Sequence, residues 1–216
     1  LRALQIVPPF DAYWFIELSN WRLNQLEALR TQFPGKDIRI RKGDCNSVLR
    51  EEIVRTITWK SFQRGFVFLD PYGLQIEWDT VKALAEEKTF DIFVNFSLMP
   101  VTRLLPRDEA PDERVVNLLN RVMGNSDWLQ ELYRPSPQKS MFKDEPVVQR
   151  DLIRAEWLAA IYADQLKHFF PSVSNPVIMT NSRNAPLYAL FLASQKPLGV
   201  NIMNQIGARS IARRSR

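Results

Sequence analysis

Three carboxylates stand where apolar runs of the chain break off into polar turns. Glu17 follows Ala12-Tyr13-Trp14-Phe15-Ile16, Asp44 follows Ile38-Arg39-Ile40-Arg41, and Asp70 follows Phe66-Val67-Phe68-Leu69. Open α/β sheets bind ligands beyond the carboxyl ends of their strands, so acids placed there are positioned to accept hydrogen bonds from a ligand. Glu17 is placed to accept from the two hydroxyls of a ribose. Asp44, with Cys45 and Asn46 in the same turn, is placed to accept from an exocyclic adenine amine. Asp70 then lies on both sides of the chemistry, close to the cofactor and at the reacting end of the ligand. Asp and Glu also favour helix caps and first turns, so each acid has a purely structural reading beside the functional one.

The stretch around Asp70 carries the most chemistry. Asp70-Pro71-Tyr72-Gly73 combines an acid, a rigid turn residue, an aromatic and a glycine free to adopt positive φ. Asp70, Pro71 and Tyr72 form the expected catalytic set, the acid orienting an acceptor group and the aromatic flanking it. Asn95, near the end of Phe90-Asp91-Ile92-Phe93-Val94-Asn95-Phe96, is expected to line the same crevice. Asn181 and Arg183, between two late strands, are expected to reach a substrate or phosphate. Each of these polar residues also reads as an ordinary loop residue. The single histidine, His168, ends a helix and reads as a capping or packed residue. One histidine and one cysteine, Cys45, offer no metal-ligand spacing, so no metal site is expected.

The elements that must position these groups alternate. The patterning predicts a helix end over 1–7, stopped by Pro8-Pro9, a strand over 12–16 and a helix over 21–33 with Ser19-Asn20 as caps. A strand over 38–41, a helix over 49–57, a buried strand over 66–69, a helix over 78–85 and a buried strand over 90–96 follow. Alternation of this kind marks βαβ units with parallel strands. Between about 100 and 150 the pattern loosens into an inserted helical and loop segment, with a helix over 115–123 and an exposed loop over 134–140. A long helix over 151–169 has Ile153, Trp157, Ile161 and Leu166 as buried candidates. Two strands over 176–180 and 187–194, with no helix between them, are expected to pair antiparallel, before a last helix over 197–206. The six tryptophans are expected in the core.

Composition bounds the rest. The chain has 216 residues, 45% hydrophobic and 25% charged, as expected of one domain spanning 1–216. Its apolar runs are too short to span a bilayer, no signal peptide is visible, and one cysteine suits a reducing compartment. No membrane association and a cytoplasmic location are the expectations. A net charge of +5 is compatible with nucleic acid as partner or substrate, and equally with simple solubility. The chain opens at Leu1 close to a predicted element, and further native sequence is expected upstream.

Strand–acid, strand–Gly-Asp, strand–Asp-Pro-aromatic and a terminal antiparallel hairpin together resemble the class I S-adenosylmethionine-dependent methyltransferase plan. The resemblance implies a Rossmann-like, mostly parallel α/β sheet entered after its first strand, with the first strand and the glycine-rich loop expected upstream of Leu1. More narrowly, Phe68-Leu69-Asp70-Pro71-Tyr72-Gly73-Leu74-Gln75, Val94-Asn95-Phe96, Asn184-Ala185-Pro186-Leu187-Tyr188 and Ala193-Ser194-Gln195-Lys196-Pro197-Leu198-Gly199 resemble the bacterial three-Cys-motif partner protein family over nearly the whole chain. That resemblance implies S-adenosylmethionine as cofactor and a separate three-Cys-motif protein as partner. It leaves open whether the chain is a methyltransferase acting on nucleic acid or a non-catalytic docking partner. Asp70-Pro71-Tyr72 is also similar to the Asp-Pro-Pro-Tyr motif of adenine amino-methyltransferases, in which the acid orients the target amine and the aromatic stacks on the extruded base. Here one proline is absent and the aromatic arrives one position early.

Overall fold

Strands form where β-branched and aromatic residues alternate in burial, and helices where apolar residues recur every three or four positions. A computed structural model describes residues 2–106, 109–139, 146–150 and 155–214. The fold is α/β with parallel and antiparallel strand pairs, and the chain divides into two compact units, Leu1–Thr56 and Ile57–Arg216.

In the first unit, a 3-10 turn over Arg2–Gln5 stands where a helix end is expected, and the chain then enters β1 (Ala12–Glu17), α1 (Asn20–Gln32) and β2 (Asp37–Lys42). β1 and β2 pair in parallel, with Tyr13 opposite Ile38 and Phe15 opposite Ile40. Those four side chains share one face, where Leu4, Tyr13, Leu29 and Ile38 form the core with Leu26 and Phe33 against it. The opposite face carries Trp14, with the guanidinium groups of Arg39 and Arg41 at 5.1 and 4.9 Å from its ring. Arg41 also pairs with Glu52. The helix expected over 49–57 begins earlier, as α2 (Cys45–Val48), widens into a π turn over Leu49–Ile53 and ends as α3 (Val54–Thr56). The polar run Cys45-Asn46-Ser47 hides this start from a periodicity argument; Asp44 supplies it by capping.

The second unit follows as β3 (Gly65–Leu69), α4 (Trp78–Glu86), β4 (Phe90–Ser97), α5 (Leu98–Leu104), α6 (Glu113–Met123) and α7 (Asp127–Leu132). Then come β5 (Tyr133–Lys139), β6 (Pro146–Arg150), α8 (Ala155–Lys167), β7 (Ser172–Val173), β8 (Val177–Thr180), β9 (Pro186–Ser194) and α9 (Pro197–Arg214). β3 lies parallel to β4, and β9 is antiparallel to β4 on one side and to β7 and β8 on the other. The late strands thus pair as expected. On one face the register sets Ile92 opposite Ala193, Val94 opposite Phe191 and Phe96 opposite Ala189, all buried. Val81 and Leu84 of α4, Leu119 and Met123 of α6 and Leu158 and Leu166 of α8 are among the other buried residues of this unit. Tyr162 of α8 is fully enclosed, its ring stacked on Phe96 at 4.3 Å between centroids and edge-on to Trp78 at 5.5 Å.

Several expectations change. The stretch 66–69 is not a uniformly buried strand: Phe66 and Phe68 are exposed, Val67 is half-buried and only Leu69 is buried. β3 ends the strand path β3-β4-β9-β7, and its aromatics face outward, with Phe68 stacked on Phe93. Arg134 to Lys139 is strand rather than loop, paired antiparallel with β6 and shifting register between Pro135 and Lys139. Prolines are tolerated there because a two-stranded sheet has only edges. Ser140, and Asp151 to Arg154 with the Ile153 candidate, lie outside the described residues. Trp157 is half-buried, Ile161 and Leu166 are buried, and α9 runs beyond the expected end at 206. Trp21 and Trp59 are exposed, whereas Trp78 and Trp128 are core residues. No helix among the described residues is long and apolar enough to cross a membrane.

Candidate functional site

The register that pairs β3 with β4 is what builds the site. Leu69 stands opposite Val94, so the next residues along the two strands, Asp70 and Asn95, meet at the carboxyl edge. Asn95 Nδ2 donates to Asp70 Oδ1 at 2.6 Å. Asp70 is exposed and Asn95 half-buried. A carboxylate only accepts, so it turns the amide's NH₂ toward itself and leaves Asn95 Oδ1 pointing elsewhere. That oxygen is buried and accepts no hydrogen bond from the described residues. An amide oxygen that neither protein nor water meets costs about 1–3 kcal/mol.

Asn95 lines a small cleft. Pro71, Gly73, Ile76, Val94 and Phe96 line it too, with Val122 of α6 and Tyr162 of α8. Burial pushes the Tyr162 hydroxyl well above its ordinary pKa, so it stays neutral across the physiological range. Gly73 has φ +77° and nothing within 4 Å of where a Cβ would stand, so the conformation of the turn, and not a lack of room, is what calls for glycine. Tyr72 between them is 90% exposed.

The two acids of the first unit lie at the ends of paired strands, and Gly43 N donates to Glu17 O at 3.2 Å. Their carboxylates serve their own backbone. Glu17 Oε1 accepts from Ser19 N at 2.8 Å and Leu18 N at 2.9 Å, and Oε2 lies 3.5 Å from Arg22 Nη1. The Ser19 amide, helped by the Leu18 amide and Arg22 against partial burial, holds the Glu17 carboxyl below the usual range. Ser19 occupies the N-cap position of α1 without a capping hydrogen bond from its side chain, and Glu17 takes over part of that work. Asp44 is the N-cap of α2 and accepts from Ser47 N at 3.1 Å. Cys45 is half-buried and Asn46 buried, both in the first turn of that helix.

Asn181 shapes the β8–β9 hairpin. Its Oδ1 accepts from Arg183 N at 2.9 Å and Ala185 N at 3.0 Å, and Asn184 sits at φ 59° in the same turn. Such a turn uses the short polar side chain as a surrogate carbonyl. Arg183 is exposed.

The structure therefore joins Asp70 to Asn95 and sets Glu17 and Asp44 on neighbouring strand ends. Tyr162 was not singled out by the sequence. A tyrosine enclosed in the otherwise apolar face of a helix was the available signal. Comparison with protein-family models, with curated proteins and with solved structures returned no match.

Proposed function

We propose that the chain is a class I methyltransferase-like protein with a Rossmann-like sheet, that it binds S-adenosylmethionine, and that the Asp70 edge is the acceptor side of its site. One observation carries the reading. Two parallel strands deliver an acid and an amide into direct hydrogen bonding at their carboxyl ends, beside a cleft, where open α/β sheets bind their ligands. Methyl transfer is an in-line displacement at the sulfonium carbon. The protein's part in it is to orient the acceptor's lone pair and exclude water. In this reading Asp70 orients the acceptor through Asn95, Pro71 shapes the turn, and Tyr72 offers a flat face to it. Glu17, Asp44, Cys45 and Asn46 are the residues this reading assigns to cofactor binding. The mild positive charge of the chain favours nucleic acid as acceptor, and the lone cysteine favours a cytoplasmic setting.

A second reading is a non-catalytic partner that keeps the fold and docks to a three-Cys-motif protein. The observation in its favour is that Asp44 already binds an amide of its own helix and Glu17 the amides of Leu18 and Ser19 just before α1. Calorimetric titration with S-adenosylmethionine separates the two. Binding that weakens in Glu17→Ala and Asp44→Ala, with methyl transfer to an RNA or DNA fraction, is the expected outcome. Absence of binding, with capture of a three-Cys-motif protein, overturns it in favour of the docking partner.

A further inference from the structure

We propose that β3 is a self-association edge, pairing antiparallel with β3 of a second copy of this chain in a register centred on Val67. The inference goes beyond the ligand reading and does not depend on it.

The backbone sets the terms. β3 ends the strand path β3-β4-β9-β7, and among the described residues no strand pairs with its other side. Gly65 N donates to Thr89 O at 3.0 Å, on the side of β4. Backbone direction alternates along a strand, so the N–H and C=O groups of Gly65, Val67 and Leu69 serve β4, and those of Phe66 and Phe68 point to the open side. Native edges are normally guarded by a charge, a proline or a bulge. Gly65-Phe66-Val67-Phe68-Leu69 has no charge and no proline, and it pairs with β4 without a shift of register. Phe66 and Phe68 are instead 51% and 59% exposed.

The residues around Val67 select the occupant. Phe66 and Phe68 flank it one position away on either side, and Arg64 and Asp70 three positions away. An antiparallel pair centred on Val67 therefore sets each Phe66 opposite Phe68 of the other copy, and each Arg64 opposite Asp70 of the other copy. Phe66 and Phe68 are also the residues whose backbone groups point outward, so both phenylalanine couples become hydrogen-bonded pairs. These side chains share one face of the strand, the face on which Phe68 stacks on Phe93 at 5.3 Å between centroids. Aromatic couples and opposite charges across two strands both favour pairing. A shift of two residues in either direction pairs one phenylalanine with itself and a charge with the other. Arg64 Nη1 donates to Lys88 O at 2.8 Å, and Asp70 Oδ1 accepts from Asn95. A guanidinium has five N–H groups and a carboxylate two oxygens, so neither bond exhausts its group. The two-fold axis closes the pair, and association stops at a dimer. Strands of five residues make a small interface beside the roughly 800 Å² per partner of standard ones, so the dimer depends on concentration.

Sedimentation velocity over a concentration series tests this on the unaltered chain, with hydrogen exchange read at single amides. A monomer–dimer equilibrium is expected, with the Phe66 and Phe68 amides gaining protection as concentration rises. Arg64→Glu or Asp70→Lys alone should weaken the dimer by about ten-fold or more, because the symmetry repeats each change, and the double charge swap should recover most of that loss. Phe66→Lys should leave only monomer. Thermal melting verifies that each variant folds; should Phe66→Lys not fold, the charge swap decides. In a Cys45→Ser background, Val67→Cys should cross-link to its own copy under mild oxidation faster than Phe66→Cys, since this register sets position 67 against itself. A chain that stays monomeric, a dimer indifferent to these changes, a double swap that recovers nothing, or faster cross-linking at Phe66→Cys overturns the proposal. So does protection of the Phe66 and Phe68 amides that is the same at every concentration, which would put another segment of chain on this edge.

Discussion

The carboxylates of the two units are employed differently. Glu17 and Asp44 accept from backbone amides one to three residues away, so the helices beginning at Asn20 and Cys45 account for them. Asp70 accepts from a side chain on another strand, and that side chain retains a buried oxygen without a partner. An acid that completes a helix terminus is explained by folding. A polar pair that leaves one oxygen unmet by the protein holds an acceptor for a water or a ligand. The second unit therefore carries the stronger claim to a ligand, although all three acids occupy equivalent places in the sequence pattern.

Substitutions can break or sharpen this contrast. The largest effect should come from Asp70→Ala. Methyl transfer to its acceptor should fall by about 100-fold or more, as misplacement of an oriented group does. Because Asp70 is exposed, the midpoint of urea unfolding should stay within about 0.5 kcal/mol of the unaltered chain. A marked loss of stability would instead class Asp70 with the capping acids.

Gly124→Ala tests the wall behind the cleft. Gly124 ends α6 at φ +84°, and an added Cβ would stand 2.4 Å from the Trp78 ring. Strain and overpacking together should cost about 1–3 kcal/mol in the second unit, read by thermal melting. An unshifted melting temperature would show that α6 moves freely against α4.

Asp44→Ala should destabilise the first unit by about 1 kcal/mol through the lost cap, measured by denaturant titration. If stability is untouched while S-adenosylmethionine affinity drops, the acid is not the structural group its hydrogen bond indicates. Asn95→Leu should be the mirror image. It removes both an acceptor the protein leaves unmet and the bond to the exposed Asp70, so stability should stay within about 1 kcal/mol in the same titration.

The smallest effect belongs to Glu17→Ala and is best seen against pH. The folded-state pKa of Glu17 lies below its ordinary value. Its contribution is therefore present above the unfolded pKa and disappears as pH falls through the folded one. The stability gap between Glu17→Ala and the unaltered chain should be widest near neutrality and close on acidification below the ordinary glutamate range. A gap that is constant with pH would assign the effect to packing.

Much of this was legible beforehand. The alternation of apolar runs with amphipathic stretches located β1 to β4 and the β8–β9 hairpin, and the acids stood at the strand ends read from the sequence. What was hidden depended on register and position in the sheet. No composition rule states that β3 ends its strand path and leaves Phe66 and Phe68 outward, since an aromatic run reads the same in a covered strand. Nor does spacing reveal that Asp70 and Asn95 face one another, because that follows from Leu69 standing opposite Val94. The strand at Tyr133–Lys139 was obscured by Pro135 and Pro137, which read as loop formers. The capping roles of Glu17 and Asp44 were anticipated as one of two readings, and only hydrogen-bond geometry distinguishes them.

The position of β9 bears on how the molecule is made. It is the strand that β4, β7 and β8 all join, and it sets Ala193 against Ile92. The pairing that completes the sheet thus spans about a hundred residues of chain, the kind of distant contact that slows folding. During synthesis β3 and β4 emerge first and must wait, with one flank of β4 unpaired, until β9 leaves the ribosome. At translation speeds of about 5–20 residues per second that interval lasts on the order of 5–20 seconds, long enough for a chaperone to matter.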